Sequence, residues 1–519
     1  MGELLAFVPE SRMGEMIIRH GDGASRIIRW FMGTAVLAVA LVPTAAAQSK
    51  VPRFERGDCL VDGDWSRDVR RECGWLVVPE SRHRPDTRTI RLAVEIIRAS
   101  EPDGTPPLVM LHGGPGGRGG VRMYSAGVAK SSLARHRDVV IYDQRGAGLS
   151  EPTLCPAYDS AAELVYNLPD GAGKNARLRA ARRACIAELE ANGIDRLAYN
   201  TAASGADLID LRRTLEYAQW DIRGVSYGAR LAQEVMVRDP HGIRAIELAS
   251  PLARGFPSRA EQPLSTQRAF ERLFAACAHQ PSCHDAFPNV EEDFYASYDA
   301  LTKSPVPLPV TSPGGRSYTV WVDGSRLVGY IRDRTVSRLE ITRVPLLLHE
   351  LRSGNRSRAA REIAGDESAP EYSTGRVVRE LVNCYDSYGA AYRRSLAVSN
   401  SMARPAFRRD NDRECEAWLP RFGDPSSQTP VHSDIPTLIM TGYFDDRTPS
   451  EQARRIAATL SRAYLVELPN EGHDARPGSC HAAIVAQFFE DPSHRPDTTC
   501  LATIAPVQFS TTWEPPKVP

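Results

Sequence analysis

The pentapeptide Gly-Val-Ser-Tyr-Gly at residues 224–228 constrains the fold of this chain more than any other stretch. The apolar-aromatic residues 220–223 before it are typical of a short strand, and residues 229–239 after it have the apolar periodicity of a helix that ends before Pro240. A serine between strand and helix, with glycine two positions before and after it, indicates a tight turn that exposes the hydroxyl at the positive end of a helix dipole. In a chain with 38 glycines the pattern alone is equally compatible with an ordinary turn.

Strand-like stretches alternate with helical ones over much of the chain. The stretches with the composition of strands are 75–79, 89–98, 107–111, 138–142, 220–223, 243–249, 435–442 and 463–468. The first two resemble an antiparallel entry to a sheet, and runs such as 107–111 are apolar throughout, as in strands buried on both faces. We therefore predict an α/β fold with a mostly parallel eight-stranded sheet and helices on both faces.

This alternation stops between about 254 and 429. Amphipathic helical stretches at 266–279, 344–351 and 376–384 are mixed there with proline-rich loops such as 304–313. We interpret residues 254–430 as a large, mainly helical cap. It is inserted between a first core segment, 48–253, and a C-terminal core segment, 431–519.

Three residue types that form catalytic triads follow predicted strands in the order Ser226, Asp445, His473. This is the chain order of the triads in α/β-hydrolases, and the ends of parallel strands meet at one sheet edge. A serine hydroxyl needs a neutral imidazole to accept its proton, which we assign to His473, and the imidazolium needs a carboxylate, which we assign to Asp445. The neighbouring Asp446 is interpreted as a solvated loop charge.

An oxyanion formed at this serine needs two donors that are already in place. We predict that these are the backbone N–H of Tyr227, next after the serine, and the backbone N–H of Gly114. Gly114 belongs to the glycine-rich loop 112–117, which follows a buried strand and otherwise has the composition of a flexible turn.

The N-terminus carries export information. Basic residues and an apolar run at 31–42 precede the small residues 45–47, which predicts a signal peptide over 1–47 with cleavage after Ala47. The alternative is a membrane anchor, but the run is shorter than the roughly 20 residues that cross a bilayer. The distance of the basic residues from the first methionine indicates a true start at Met13 or later. We expect a periplasmic or secreted protein with no stable membrane anchor.

All ten cysteines follow the predicted cleavage point, and an even number in an exported chain implies disulfides. Sequence cannot fix their connectivity, but the cysteines occur in locally spaced couples. We predict pairing of neighbours along the chain: 59 with 73, 155 with 185, 277 with 283, 384 with 415, and 480 with 500. The alternative, a zinc site, is disfavoured because no C-x-x-C or paired histidine motif is present.

Charge and composition narrow the choice of partner. With 64 basic and 64 acidic side chains the net charge is zero, and 42% of residues are hydrophobic. Such a composition is that of a soluble globular protein and does not favour nucleic acid or an acidic membrane surface. We expect a monomer that needs no metal or cofactor.

Four stretches together resemble the proline iminopeptidase and tripeptidyl aminopeptidase family of exported α/β-hydrolases. They are H-G-G-P-G-G at 112–117, D-Q-R-G-A-G-L-S at 143–150, the serine pentapeptide at 224–228 and the loop 445–449. The resemblance extends from about residue 59 to 500 and is weakest in the predicted cap. One departure is Asp446, which stands where the family's D-P-x-T-P loop has proline.

The resemblance implies a serine aminopeptidase that releases residues or short peptides from a free N-terminus. The triad would be Ser226, Asp445 and His473. It also implies a cap carboxylate that binds the substrate ammonium group, and Asp386 stands where similar proteins carry an acidic residue, although a surface carboxylate is an equal alternative. An esterase or lactonase of the same fold is the nearest rival function, and a non-catalytic binding protein that keeps the hydrolase fold is another.

Overall fold

The structure is a computed structural model, and it describes most of the chain beyond residue 50. The described residues are 51–61, 69–168, 172–311, 317–353, 355–365, 375–387, 389–409, 414–421, 423, 429–474 and 478–513. The predicted signal peptide and its cleavage point lie outside these residues. None of the described helices is long and apolar enough to cross a membrane.

Eleven strands are present in the described part of the chain. They are β1 (Arg53–Gly57), β2 (Arg71–Pro79), β3 (Thr89–Ile97), β4 (Leu108–Leu111), β5 (Val139–Tyr142), β6 (Trp220–Val225), β7 (Ile243–Ala249), β8 (Val306–Thr311), β9 (Ser317–Val322), β10 (Thr437–Gly442) and β11 (Ala463–Leu468). All but β8 and β9 form one sheet, in the order β1-β2-β3-β5-β4-β6-β7-β10-β11. The strands from β5 to β11 in this order are parallel, whereas β1, β2 and β3 form an antiparallel edge.

The described α-helices lie between and around these strands. They are α1 (Gly120–Ala129), α2 (Pro156–Tyr166), α3 (Ala172–Ala191), α4 (Thr201–Thr214), α5 (Tyr227–Arg238), α6 (Ser258–His279), α7 (Pro281–Ala286), α8 (Val290–Lys303), α9 (Gly324–Arg334), α10 (Val344–Ser353), α11 (Arg356–Gly365), α12 (Arg376–Ser387), α13 (Ala390–Met402), α14 (Glu414–Trp418), α15 (Ser450–Ala457) and α16 (Gly478–Glu490). The helices predicted at 266–279, 344–351 and 376–384 are confirmed as parts of α6, α10 and α12.

Both faces of the sheet are covered by helices, as predicted. Successive residues of a strand point to opposite faces, and in β4 Val109 and Leu111 belong to an apolar cluster with residues of α4, α5 and α15. Leu108 instead packs with residues of α16, and Met110 with residues of α1. The central strands are therefore buried on both sides, which explains why they are apolar throughout.

The sheet has nine strands in the described residues rather than the predicted eight. The additional strand is β1, which pairs antiparallel with β2 at the edge of the sheet. Its sequence, Arg-Phe-Glu-Arg-Gly, is only half-buried or exposed, so it lacks the apolar alternation by which strands are recognised. The disulfide between Cys59 and Cys73 fastens the end of this strand to its neighbour.

The chain between β7 and β10, residues 250–436, contains α6 to α14 and a β-hairpin. We call it the intervening segment. Its apolar cluster is rich in aromatic rings, among them Phe270, Phe294 and Phe407. The hairpin of β8 and β9 corrects the proline-rich loop expected at 304–313. In β8 both prolines occupy exposed alternate positions, and proline is tolerated there because each strand of a two-stranded ribbon is an edge strand.

The predicted disulfide pairing is confirmed for all five pairs. The bonds join Cys59 to Cys73, Cys155 to Cys185, Cys277 to Cys283, Cys384 to Cys415 and Cys480 to Cys500.

Candidate active site

Ser226 lies at the turn between β6 and α5, in a backbone conformation that serine rarely adopts. Its φ is 57° and its ψ is −118°. Such strain persists only where the surroundings enforce it, and it is found at functional sites. Crowding explains the flanking glycines: a Cβ on Gly224 would lie 2.6 Å from the carbonyl oxygen of Gly228, and a Cβ on Gly228 would lie 2.3 Å from that of Leu111.

Backbone hydrogen bonds hold this turn against the end of β7. The N–H of Ser226 donates to the carbonyl of Ala249 at 2.9 Å, and its own carbonyl accepts from the N–H of Leu252 at 3.2 Å. The serine is therefore fixed relative to the strand that separates β6 from β10.

Asp445 and His473 follow β10 and β11, and their side chains are in hydrogen-bond contact at the same sheet edge. The Nδ1 atom of His473 lies 2.9 Å from Oδ2 and 3.0 Å from Oδ1 of Asp445. The carboxylate is fully buried, and its Oδ1 accepts from the backbone N–H groups of Arg447 and Thr448, each at 2.9 Å. Burial alone would raise the pKa of Asp445, but the charge and hydrogen bond of His473 and the Thr448 donors together hold it below its usual value.

Thr448 connects this pair to the strand beside Ser226. Its hydroxyl lies 2.7 Å from Oδ2 of Asp445 and 2.8 Å from the carbonyl oxygen of Ser250, so that it can donate to either. Ser250 directly follows Ala249, which accepts the N–H of Ser226. The predicted triad residues thus occupy neighbouring loops at one edge. Sequence reasoning missed Thr448, although a threonine three residues after an aspartate is a recognisable partner for that carboxylate.

The glycine-rich loop 112–117 passes directly beside the serine. A Cβ on Gly113 would lie 3.0 Å from Cβ and 3.5 Å from Oγ of Ser226. Gly114, with φ of 125°, is exposed. Tyr227 is the first residue of α5, where an N–H group has no carbonyl partner within the helix. That these two N–H groups form an oxyanion hole stays a prediction.

The loop 143–150 supports the glycine-rich loop, which explains why both motifs occur in one chain. The side-chain amide of Gln144 donates to the carbonyl of His112 at 3.0 Å, and the N–H of Gly148 donates to the carbonyl of Gly117, also at 3.0 Å. Asp143 accepts from the N–H of Val121 at the start of α1.

Burial lowers the pKa of His112 to about 4, so this imidazole is neutral at neutral pH.

Asp386, the predicted ligand for a substrate ammonium, is buried, with 3% of its surface accessible. Its Oδ2 atom accepts from the hydroxyl of Thr201 and lies 3.5 Å from Nε of Arg230. Burial raises the pKa of this carboxyl. These contacts join α12 to α4 and α5, and the role in ammonium binding stays a prediction.

The interpretation of Asp446 as a solvated loop charge is wrong. This side chain is buried, with 1% of its surface accessible, and it accepts from Nε of Arg332 at 2.6 Å and from the hydroxyl of Thr335 at 3.0 Å. Thr266 donates to it as well, at 3.1 Å. The aspartate that replaces proline in this loop therefore binds the loop to the intervening segment.

The same part of the intervening segment also supports the histidine loop. The N–H of His473 donates to the carbonyl of Thr335 at 3.2 Å, and the N–H of Asp474 donates to that of Val336 at 2.9 Å. Arg338 pairs with Glu471 at 2.9 Å. We call residues 332–338 the brace, because they contact the loops that carry both His473 and Asp445.

Because Asp446 contacts the brace, we expect Asp446→Asn to lower both stability and turnover. Loss of a buried charge partner is expected to lower the free energy of unfolding by about 1–3 kcal/mol and to lower kcat severalfold with little change in KM, because the two loops lose a common support. Calorimetric unfolding and steady-state kinetics measure both.

Asp333→Asn is the matched control, since Asp333 pairs with Arg447 across the same contact but is exposed. A surface pair contributes about 0–1 kcal/mol, so this variant should resemble the parent protein. Equal effects of the two substitutions would contradict the role given to the brace.

Among the described residues, no group of three or more His, Cys, Asp or Glu side chains is arranged to hold a metal ion.

Comparisons with known proteins agree with this fold. Residues 106–300 match a family model described as alpha/beta hydrolase fold, and residues 401–500 match one described as TAP-like protein. The chain is 30% identical over 216 residues to a tripeptidyl aminopeptidase of Streptomyces coelicolor, covering 40% of this chain and 39% of that protein. It is 29% identical over 216 residues to a tripeptidyl aminopeptidase of Streptomyces lividans, covering 40% of each. The match thus spans about two fifths of the length of these curated relatives.

Among solved structures, a proline iminopeptidase of Mycobacterium smegmatis is similar at 15% identity with a TM-score of 0.38, over 81% of this chain and 98% of that one.

Proposed function

Because the chain belongs to the aminopeptidase-like α/β-hydrolases, we propose that it is a serine aminopeptidase that releases N-terminal residues or short peptides through an acyl-enzyme on Ser226. Its substrates in this proposal are peptides with a free N-terminus. No metal or cofactor takes part.

The observation that carries the proposal is the contact of the buried Asp445 carboxylate with the half-buried imidazole of His473, at the same sheet edge as the strained turn at Ser226. A carboxylate that accepts two backbone N–H groups and lies 2.9 Å from Nδ1 of His473 is suited to fix one tautomer of the imidazole. With the proton on Nδ1, the Nε2 atom is free to accept a proton from a serine hydroxyl.

The reaction then proceeds in two displacement steps. The hydroxyl of Ser226 attacks the scissile carbonyl while His473 takes its proton, and the resulting oxyanion is stabilised by the N–H groups of Gly114 and Tyr227. His473 passes the proton to the leaving amine, and the acyl-enzyme remains. Water, activated by the same imidazole, releases the acyl part.

Export is part of the proposal. Five disulfides in the described residues support an oxidising compartment. We infer a periplasmic or secreted monomer that retains no membrane anchor after cleavage at Ala47. We also propose that residues 254–430 act as a cap, in which Asp386 is a candidate ligand for the substrate ammonium.

The free N-terminus is the part of the proposal that is easiest to test. We expect a peptidyl chromogenic substrate with a free α-amino group to be cleaved with roughly ten- to a hundredfold higher kcat/KM than its N-acetylated form, since hydrogen bonds to a charged group contribute about 1.5–3 kcal/mol. An acyl ester without an amino group is the third substrate.

Equal kcat/KM on free and acetylated peptides would rule out an aminopeptidase. Rapid turnover of the ester alone would favour the esterase or lactonase alternative.

A further inference from the structure

The side chain of Tyr227 extends from the turn at the serine into the intervening segment. Tyr227 directly follows Ser226 and is the first residue of α5. Its ring is buried in an apolar cluster that includes Val378 and Leu381 of α12. The residue next to the proposed nucleophile therefore packs with a helix that comes much later in the chain.

Hydrogen bonds join the hydroxyl of Tyr227 to a carboxylate of the same helix. This hydroxyl lies 2.9 Å from that of Thr201, the first residue of α4, and the hydroxyl of Thr201 donates to Oδ2 of Asp386. A threonine hydroxyl has a single proton to donate, so Tyr227 is the donor in the first bond. Burial and the charge of Asp386 raise the pKa of the Tyr227 hydroxyl, which keeps it protonated. We call Tyr227, Thr201 and Asp386 the anchor chain.

Asp386 is held in place by two further contacts. Its Oδ1 accepts from the backbone N–H of Thr201 at 3.4 Å, and its Oδ2 lies 3.5 Å from Nε of Arg230, which follows Tyr227 by about one turn of α5. All four side chains are buried. Hydrogen bonds in such surroundings are stronger than in water, and loss of one hydroxyl would leave a buried polar group short of a partner.

The start of α12 packs on the glycine-rich loop, which contains Gly114, the other predicted oxyanion donor. A Cβ on Gly116 would lie 2.2 Å from the carbonyl oxygen of Gly375, the residue before α12, and 3.5 Å from the backbone nitrogen of Arg379. The helix is therefore next to the glycine-rich loop at its first turn. At its last turn Asp386 connects it to the turn at the serine.

We propose that Thr201 and Asp386 are positioning residues that act, through the side chain of Tyr227, on the turn at Ser226. This inference rests on the proposed acyl-enzyme reaction. A strained turn persists only where its neighbours are fixed, and an oxyanion donor is effective only when it is already in place. The anchor chain meets both needs, because it fixes the residue that follows the nucleophile and supplies the N–H group. Neither positioning residue touches the substrate in this role.

Thr201→Val removes the hydroxyl and keeps the shape of the side chain. We expect kcat per folded protein to fall by roughly five- to fiftyfold with little change in KM, because a buried hydrogen bond is lost while the substrate contacts remain. Tyr227→Phe breaks the same bond from the other side and should have a similar effect. Thr201→Ser keeps the hydroxyl and should retain most of the parent kcat. Steady-state kinetics, normalised to folded protein by calorimetric unfolding, measures these changes.

Tyr142→Phe is the matched control. Tyr142 ends β5 and is fully buried, but its hydroxyl has no hydrogen-bond partner within the described residues. The substitution removes the same atom from a similar environment without breaking a bond, so kcat should stay at the parent value. An equal loss of kcat in Tyr142→Phe and Tyr227→Phe would overturn the proposal.

Asp386→Asn separates positioning from ammonium binding. The substitution replaces a charged acceptor by a neutral one and weakens the bond from Thr201. In a positioning role, it lowers kcat by the same factor on a peptide with a free N-terminus, on the N-acetylated peptide and on an acyl ester. A loss confined to the peptide with a free N-terminus would show an ammonium ligand and would overturn the positioning role.

The rate at which a phosphonate modifies Ser226 tests the anchor chain without any peptide. The adduct is tetrahedral, so its formation depends on the turn and on the oxyanion donors as the reaction itself does. The rate should fall in Thr201→Val and Tyr227→Phe but not in Tyr142→Phe, and this result would support the inference even if no peptide were cleaved. Unchanged kcat and labelling rate in Thr201→Val would overturn the inference and leave the peptidase function standing. A parent protein that is not labelled would overturn both.

Discussion

Ser226→Ala is expected to lower kcat by about 10⁴- to 10⁶-fold, the scale of loss when the nucleophile of a serine hydrolase is removed. The remaining hydrolysis would come from substrate binding and the oxyanion donors alone. Because the side chain becomes smaller and the strained φ of 57° is tolerated equally by alanine and serine, the fold should persist. Peptide hydrolysis followed to low turnover measures the loss.

Covalent labelling gives the same prediction a second readout. A phosphonate that reacts with activated serines should modify the parent protein at Ser226 and leave Ser226→Ala unmodified. Ser250→Ala is the matched control: Ser250 directly follows the adjacent strand β7, also has a positive φ, of 42°, and its buried hydroxyl has no hydrogen-bond partner in the described structure. If Ser226→Ala were still labelled and active, the nucleophile would be another residue. If the parent protein were not labelled, the result would favour the non-catalytic alternative.

Asp445→Asn is expected to lower kcat by roughly 10³- to 10⁴-fold with little change in KM. The backbone N–H groups of Arg447 and Thr448 both point at Oδ1, so the amide oxygen of asparagine would take that position. Its NH₂ group would then face Nδ1 of His473 and donate to it. This moves the imidazole proton to Nε2, where it prevents the ring from accepting the serine proton.

Asp446→Asn discriminates between the two neighbouring carboxylates. Asp446 lies in the same loop as Asp445, but the side chain of Asp446 contacts Arg332 rather than His473. The kcat of Asp446→Asn should fall only severalfold. For a given loss of activity, Asp446→Asn should therefore show a larger drop in unfolding temperature than Asp445→Asn. A thousandfold loss of kcat in Asp446→Asn at unchanged stability would contradict the assignment of Asp445 as the carboxylate of the triad.

The sequence predicts the α/β-hydrolase fold because the central strands are fully buried and their residues are therefore apolar throughout. An apolar run such as β5, Val-Val-Ile-Tyr, is typical of a strand that is buried between two layers of helices. The strand β1 was not predicted because an edge strand needs no apolar alternation. The hairpin of β8 and β9 was missed because prolines at exposed positions conceal the strand from pattern and propensity alike.

In the candidate site, the residues that were predicted correctly have a signal in the neighbouring sequence, whereas the one that was misjudged depends on contacts with distant parts of the chain. Ser226 and the pair of Asp445 and His473 are recognisable because each follows a strand with its own loop signature. Asp446 was misjudged because its partners, Arg332 and Thr335, are more than a hundred residues earlier in the chain. A buried charge is stable only with such partners, and the sequence around Asp446 does not indicate them.

The disulfides have a consequence for how the chain acquires its covalent form. Each bond joins two cysteines that are consecutive along the sequence, and the widest pair is separated by 31 residues. A chain that emerges from a ribosome or a translocation channel presents its thiols one couple at a time. An oxidant that joins each newly emerged thiol to the unpaired one before it would reach the native set directly, with no isomerase needed to exchange mispaired bonds.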